Sequence, residues 1–298
     1  MAIPPPPGPG GMTSRDVTLG VLWSVLAAII HAFVPIGVRM LSDRIPPVEI
    51  VFFRNAIGLL FFLMLFSWRG LGFLKTANIG LHVQRNLANF GGMWLWFAAL
   101  GLMPLSKAIA LHFTVPIWAT IMAIVVLTER PGPRRLIATA IGFCGVLVIL
   151  RPGAIPIGPA ALMVLGSAFL YAGVGIYSRV LGRTDDPKTT TFYYQLMLTG
   201  FALGPALWVW VAPAWSDLPA LLLVAAAGTL APYCQIRAFK HAEASIVTPI
   251  DFLRLPVAAS LAWLLFGETT EAWTWAGAAV IFASTYAMMR TASRAARG

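Results

Sequence analysis

The chain has 298 residues, of which 59% are hydrophobic and only 11% charged, with a mean hydropathy of +0.81. An ordinary soluble domain is about 25% charged, so the composition excludes a soluble globular protein and defines an integral membrane protein. The formal net charge of +10 would point to nucleic acid in a soluble chain, but these basic residues fall in short connectors between apolar runs, where they set orientation in a bilayer.

Residues 1–16, MAIPPPPGPGGMTSRD, are too rich in Pro and Gly to form a helix or bury a core, and read as a disordered tail. No signal peptide is expected, because the apolar run after Val17 is too long and no small-residue cleavage site follows it. A spanning helix needs about 20 mostly apolar residues. Ten segments qualify: 17–38, 46–68, 85–103, 106–128, 133–150, 157–178, 189–211, 217–237, 244–266 and 271–289. Connectors such as SDRIPP, TERPGP and RTDDPK are short and carry Pro, Gly or charge, as breaks between packed spans require. Residues 291–298 form a basic tail. The predicted fold is all-α, with ten transmembrane helices. Of 21 Lys and Arg, 15 fall in the termini and even-numbered connectors and four in the odd-numbered ones, which predicts cytoplasmic N- and C-termini.

The chain also repeats itself. Ala99, Ser106 and Glu129 return 139 residues later as Ala238, Ser245 and Glu268, and Ala32, Arg39 and Leu41 return 140 later as Ala172, Arg179 and Leu181. The repeating units are residues 17–150 and 157–290, five spans each. An odd number of spans forces the second copy to enter the bilayer inverted, the plan of many secondary transporters, whose substrate site lies near the midplane between repeats.

The segments SKAIALHFTVPIWATIMAIVVLTERPGPRRLIATAIGFCGVLVILRPG and ASIVTPIDFLRLPVAASLAWLLFGETTEAWTWAGAAVIFASTYAMM share a pattern. A small-residue helix start leads to a mid-helix Pro (Pro116, Pro256), an acid closing the span (Glu129, Glu268) and a Gly in the next span (Gly142, Gly277). This doubled pattern resembles the drug/metabolite transporter superfamily, EamA type, over residues 17–290. The resemblance implies a central cavity built by spans 1, 3, 4, 6, 8 and 9. Within the superfamily the chain looks most like bacterial exporters that include inner-membrane aromatic amino-acid exporters. One departure is that Glu268 to Gly277 is four residues shorter than Glu129 to Gly142.

Polar groups deep in a bilayer are costly unless they face protein or water, so they are the natural site candidates. His31 and its repeat counterpart Tyr171 lie at similar depth on cavity helices and combine an aromatic face with a hydrogen-bonding group. In the third span Gly91 and Gly92 admit close approach, while Asn89 and Trp96, seven residues apart, share a face that Trp94 does not. His112 precedes Pro116, Tyr233 follows Pro232, and Asp251 and Arg254 lie between Pro249 and Pro256. The four prolines are candidate kinks, each serving gating or packing alone. Asp251 and Arg254 are three apart and within reach of each other, so they either anchor the ninth helix or present two charges to a zwitterion. Glu49 and Arg54 read as structural. Cys144 and Cys234 read as small buried residues, with no CxxC or metal-ligand spacing nearby.

The leading expectation is a bacterial inner-membrane carrier exporting small metabolites, aromatic amino acids foremost, by alternating access. Cationic drugs, purines or a vitamin are alternative cargoes; an intramembrane enzyme or a scaffold is a more distant class. With no Walker A motif and no unpaired mid-membrane carboxylate, facilitated diffusion is the first choice, and His31 and His112 are the titrating candidates. A small-molecule substrate and the bilayer are the expected partners, with no cofactor, metal or nucleic acid.

Overall fold

The computed structural model describes residues 14–66, 75–125, 133–151, 158–181, 184–241 and 250–295. Every regular element among them is helical. In chain order they are α1 (Ser14–Leu41), α2 (Pro47–Phe66), α3 (Ile79–Leu100), α4 (Leu105–His112), α5 (Val115–Val125), α6 (Pro133–Leu150), α7 (Pro159–Leu181), α8 (Pro187–Trp208), α9 (Leu218–His241), α10 (Arg254–Phe266) and α11 (Ala272–Ala295). Single 3₁₀ turns at Trp215–Asp217 and Asp251–Leu253 lead into α9 and α10. Helix α1 starts inside the expected tail, whose residues 1–13 lie outside the described residues, and α11 extends into the expected C-terminal tail as far as Ala295.

Five described stretches are long and apolar enough to cross a membrane: Thr18–Leu41, Pro47–Met64, Leu105–Met122, Pro159–Ser178 and Trp215–Gln235. The apolar runs Leu136–Leu150 and Ala272–Ser284 are shorter. Helices α3 and α8 fall below that standard because they carry polar side chains, and five of these are buried: His82, Asn86, Asn89, Thr189 and Gln195. Outward positions are apolar, among them Leu60, Met64, Leu162, Leu222 and Leu264. That distribution inverts the soluble pattern and suits a hydrocarbon solvent.

The fourth expected span is two helices. Pro116 has no N–H to offer the carbonyl of His112, so the chain turns instead: Phe113 N–H donates to Ile109 O and Thr114 N–H to Leu111 O, which also accepts from Thr114 Oγ1 at 2.7 Å. Pro116 becomes the second residue of α5 and Pro256 the third of α10. In a first turn no intrahelical N–H is required, so both prolines begin helices rather than kink them from within. Pro232, by contrast, sits inside an uninterrupted α9.

Four pairings build the bundle: α1 on α9, α3 on α7, α2 on α8 and α6 on α11. Small residues allow the approach. A Cβ on Gly277 would fall 2.6 Å from Gly145 O and 2.4 Å from Ile149 Cγ1, so α6 and α11 meet backbone to backbone. At Gly92 the approaching element is α7: Ser167 Oγ donates to Gly92 O at 2.7 Å, and the Tyr171 ring lies 3.3 Å from where a Cβ would stand.

Polar contacts fix the helix ends. Glu268 Oε2 accepts from Leu105 N–H, the first residue of α4, at 2.8 Å, and Oε1 pairs with Arg39 Nη2 at 3.2 Å. Arg39 in turn donates to Leu100 O at the end of α3. The counterpart of Glu268 in the repeat pattern, Glu129, lies outside the described residues. Toward the other ends of α3 and α7, Asp185 accepts from Thr76 Oγ1 at 2.6 Å and Asn78 Nδ2 at 2.9 Å, and meets His82 Nε2 at 2.7 Å. Helix α3 therefore begins six residues before the expected 85, and Arg85 lies in its second turn, donating to Ser178 Oγ at 2.9 Å.

Candidate functional site

Where α1, α2, α3, α4, α5, α7 and the start of α10 converge, they enclose a cavity of about 370 Å³. Small-molecule sites occupy about 300–1,000 Å³. One side is a run of rings: the centroids of Trp96 and His112 are 4.4 Å apart, and those of His112 and Tyr171 5.3 Å apart, edge to face. A second group is Phe113, stacked on Phe252 at 4.0 Å and 14°, with the Arg254 guanidinium 4.5 Å above the Phe113 ring. Phe113 lies in the turn between α4 and α5 and Phe252 in the 3₁₀ turn that runs into α10, and the two are 139 residues apart, the spacing of the repeat.

Charge enters from three side chains. Arg254 contacts Asp251 at 3.7 Å, a loose pair, and reaches His31 Nδ1 at 3.4 Å, accepting there requiring the tautomer protonated on Nε2. Arg54, on α2, donates to Tyr194 Oη at 2.9 Å, Gly228 O at 3.1 Å and Asn55 Oδ1 at 3.2 Å. No carboxylate among the described residues pairs with it. Glu49, the nearest acid in sequence, instead accepts from Val211 N–H at 3.2 Å.

Of the side chains singled out in the sequence, His31, Trp96, His112, Tyr171, Asp251 and Arg254 line the cavity, and so does Pro116. Asn89 is buried but lies away from the lining, its Oδ1 without a protein partner. Tyr233 is a correction: it is 53% exposed and packs edge-on against Trp23 on the outer surface. Another face of α9 packs on α1, with Val224 against Gly37, and Pro232 is exposed like its neighbour. Pro249 lies outside the described residues. Cys234 is buried, whereas Cys144 is exposed. Arg54 and Pro35 line the cavity without having been expected there. The signal for Arg54 was available, since it and Tyr194 stand 140 residues apart, as His31 and Tyr171 do.

A helical bundle with an apolar exterior, buried polar residues and an aromatic cavity at the junction of its helices has the build of a membrane carrier for small molecules. The chain belongs to the EamA-like transporter family, whose model matches it twice, over residues 18–151 and 158–290. It is 33% identical over 287 residues to a riboflavin transporter of Rhizobium johnstonii, covering 95% of each chain. It is 26% identical over 266 residues to an S-adenosylmethionine uptake transporter of Rickettsia prowazekii, covering 89% of this chain and 90% of that one. A protein solved by crystallography shares the fold at a TM-score of 0.65 with 16% identity, covering 95% of this chain and 99% of the other. The protein is therefore a membrane transporter of the drug/metabolite transporter superfamily.

Proposed function

We propose that the protein carries a planar heteroaromatic metabolite of the flavin class across the bacterial cytoplasmic membrane by alternating access. The aromatic lining carries this assignment. Trp96, His112 and Tyr171 offer ring faces and edges on one side and Phe113 and Phe252 on another, geometry that holds a flat ring system by stacking. Similarity to the riboflavin transporter of Rhizobium johnstonii supports the same cargo class. Aromatic amino-acid export, expected from the sequence, finds no support in the relatives.

The working architecture is ten spans in two inverted five-helix repeats, residues 17–150 and 157–290, with both termini cytoplasmic. Two observations support it: the paired family matches, and a packing scheme that is unchanged when the halves are exchanged, α1 on α9 answering α7 on α3. His31, Tyr171, Trp96, His112, Asp251 and Arg254 contact cargo. The turn at Phe113 and the 3₁₀ turn at Phe252, each followed by a proline in the first turn of the next α-helix, are the pivots about which the halves rock. Asn89 supports α3 from behind the lining.

The test is flux in proteoliposomes preloaded with riboflavin, compared with Phe, Trp, Tyr and S-adenosylmethionine. Riboflavin should exchange at least tenfold faster than through empty vesicles. Riboflavin flux equal to that of empty vesicles overturns the flavin assignment, and Phe, Trp or Tyr exchanging in its place restores amino-acid transport.

A further inference from the structure

A guanidinium buried at membrane depth without a counter-ion is expensive. Arg54 is only 9% exposed, yet among the described residues its hydrogen bonds all go to neutral acceptors: a phenol, an amide, a carbonyl and the sulfur of Met93. Its Nε is buried with no protein partner, and Nη2 spends one contact on two hydrogens. The other cation of the lining, Arg254, has Asp251 beside it. Counting Arg54, Arg254 and Asp251, the described lining residues carry at least one more positive than negative charge whatever the protonation of His31 and His112. The fold makes room for this. A Cβ on Gly228 would fall 2.4 Å from Arg54 Nε and 2.6 Å from Nη2, so the guanidinium occupies space that only glycine leaves open.

We infer that Arg54 is the specificity-determining contact of the cavity, selecting planar cargo that presents an anionic or paired-carbonyl edge and rejecting cationic rings. This rests on the cavity being the cargo site. The planar fork of a guanidinium matches two in-plane acceptor oxygens, whether of a carboxylate or of the two ring carbonyls flanking an imide. A cargo carrying a positive charge beside its ring, a sulfonium included, meets net repulsion in the same place. Arg54 thus separates the flavin-like from the sulfonium-like cargo classes that the relatives' names span.

Equilibrium binding to the full chain in lipid nanodiscs tests this with two probes of one shape and opposite charge, naphthalene-2-carboxylate and 2-naphthylmethylammonium, and with riboflavin alongside. The wild type should bind the carboxylate at least tenfold more tightly than the ammonium. R54Q should erase that preference, and R54K should keep it while weakening the carboxylate several-fold, because an ammonium cannot fork. Equal binding of the two probes by the wild type overturns the inference, as does a preference that survives R54Q. If R54Q fails to fold, the wild-type comparison and R54K still decide. Carboxylate preference without riboflavin binding removes the flavin assignment and leaves Arg54's role standing. Riboflavin binding without carboxylate preference does the reverse.

Discussion

At the scale of single residues, Gly228 provides the sharpest handle on the cavity. Gly228→Ala puts a methyl group where the Arg54 guanidinium lies, and the long side chain yields more easily than the backbone. Stability should fall by only about 1 kcal/mol, the low end of overpacking costs, while riboflavin affinity should drop about tenfold, measured by thermal unfolding and binding on the same sample; equal loss of both would mark Arg54 as a packing group. His31→Ala and Tyr171→Phe should slow transport with little change in expression or unfolding temperature, since His31 gives up one long contact to Arg254 and Tyr171→Phe keeps the ring against Gly92. Wild-type flux in both variants would remove them from the site. Most of these lining residues were legible from depth and chemistry together with the cavity helices that the family resemblance implies. Arg54, read from the sequence as structural, lines the cavity, and its bonds to Tyr194 on α8 and Gly228 on α9 join helices far apart in the chain. Tyr233 was misread because proximity to a proline says nothing about which way a continuous helix faces.

Elements are held at their crossings and ends. Gly277→Ala forces α6 and α11 apart at a point where the opposing atoms include backbone, so it should cost about 1–3 kcal/mol or more, read as a lowered unfolding temperature in detergent. No change would mean that the two helices slide freely. The Asp185 cluster makes a second prediction, in pH. Burial opposes charge on Asp185, but hydrogen bonds from Thr76, His82, Asn78 and Thr184 outweigh it and pull the carboxyl down from 3.8 to about 2. A carboxyl lowered in the folded state stabilises fully above its unfolded value and loses that contribution as pH falls through its folded one. The wild type should therefore lose stability between about pH 4 and pH 2, and Asp185→Asn should flatten that part of the unfolding curve. Helix positions were largely legible because long apolar runs announce themselves. The early start of α3 was not, since His82 and Asn86 depress hydropathy while packing inward, and burial is a property of neighbours distant in the chain. The break at Phe113 was hidden too, because a proline marks a disruption without saying whether the helix bends or starts afresh.

For the molecule as a whole, the excess of basic residues in the termini and even connectors predicts that tags at both ends are reached from inverted vesicles and not from intact cells; a tag labelled only from outside would sink both the orientation and the even span count. Two contacts on the central line carry a different consequence. Arg54 touches Tyr194 and Phe113 stacks on Phe252, each a residue against the one occupying the same place in the other half. In an ancestor assembled from two identical, oppositely inserted polypeptides, every such meeting would join a side chain to its own twin. Phenylalanine tolerates that arrangement, but arginine does not: two guanidiniums would be pressed together inside the bilayer. Joining both halves in one gene releases the positions to diverge, so that a lone cation can be set beside a phenol. On the proposed inverted-repeat architecture, a cavity of odd charge becomes reachable once the two halves differ in sequence, and a change in either half can then alter it.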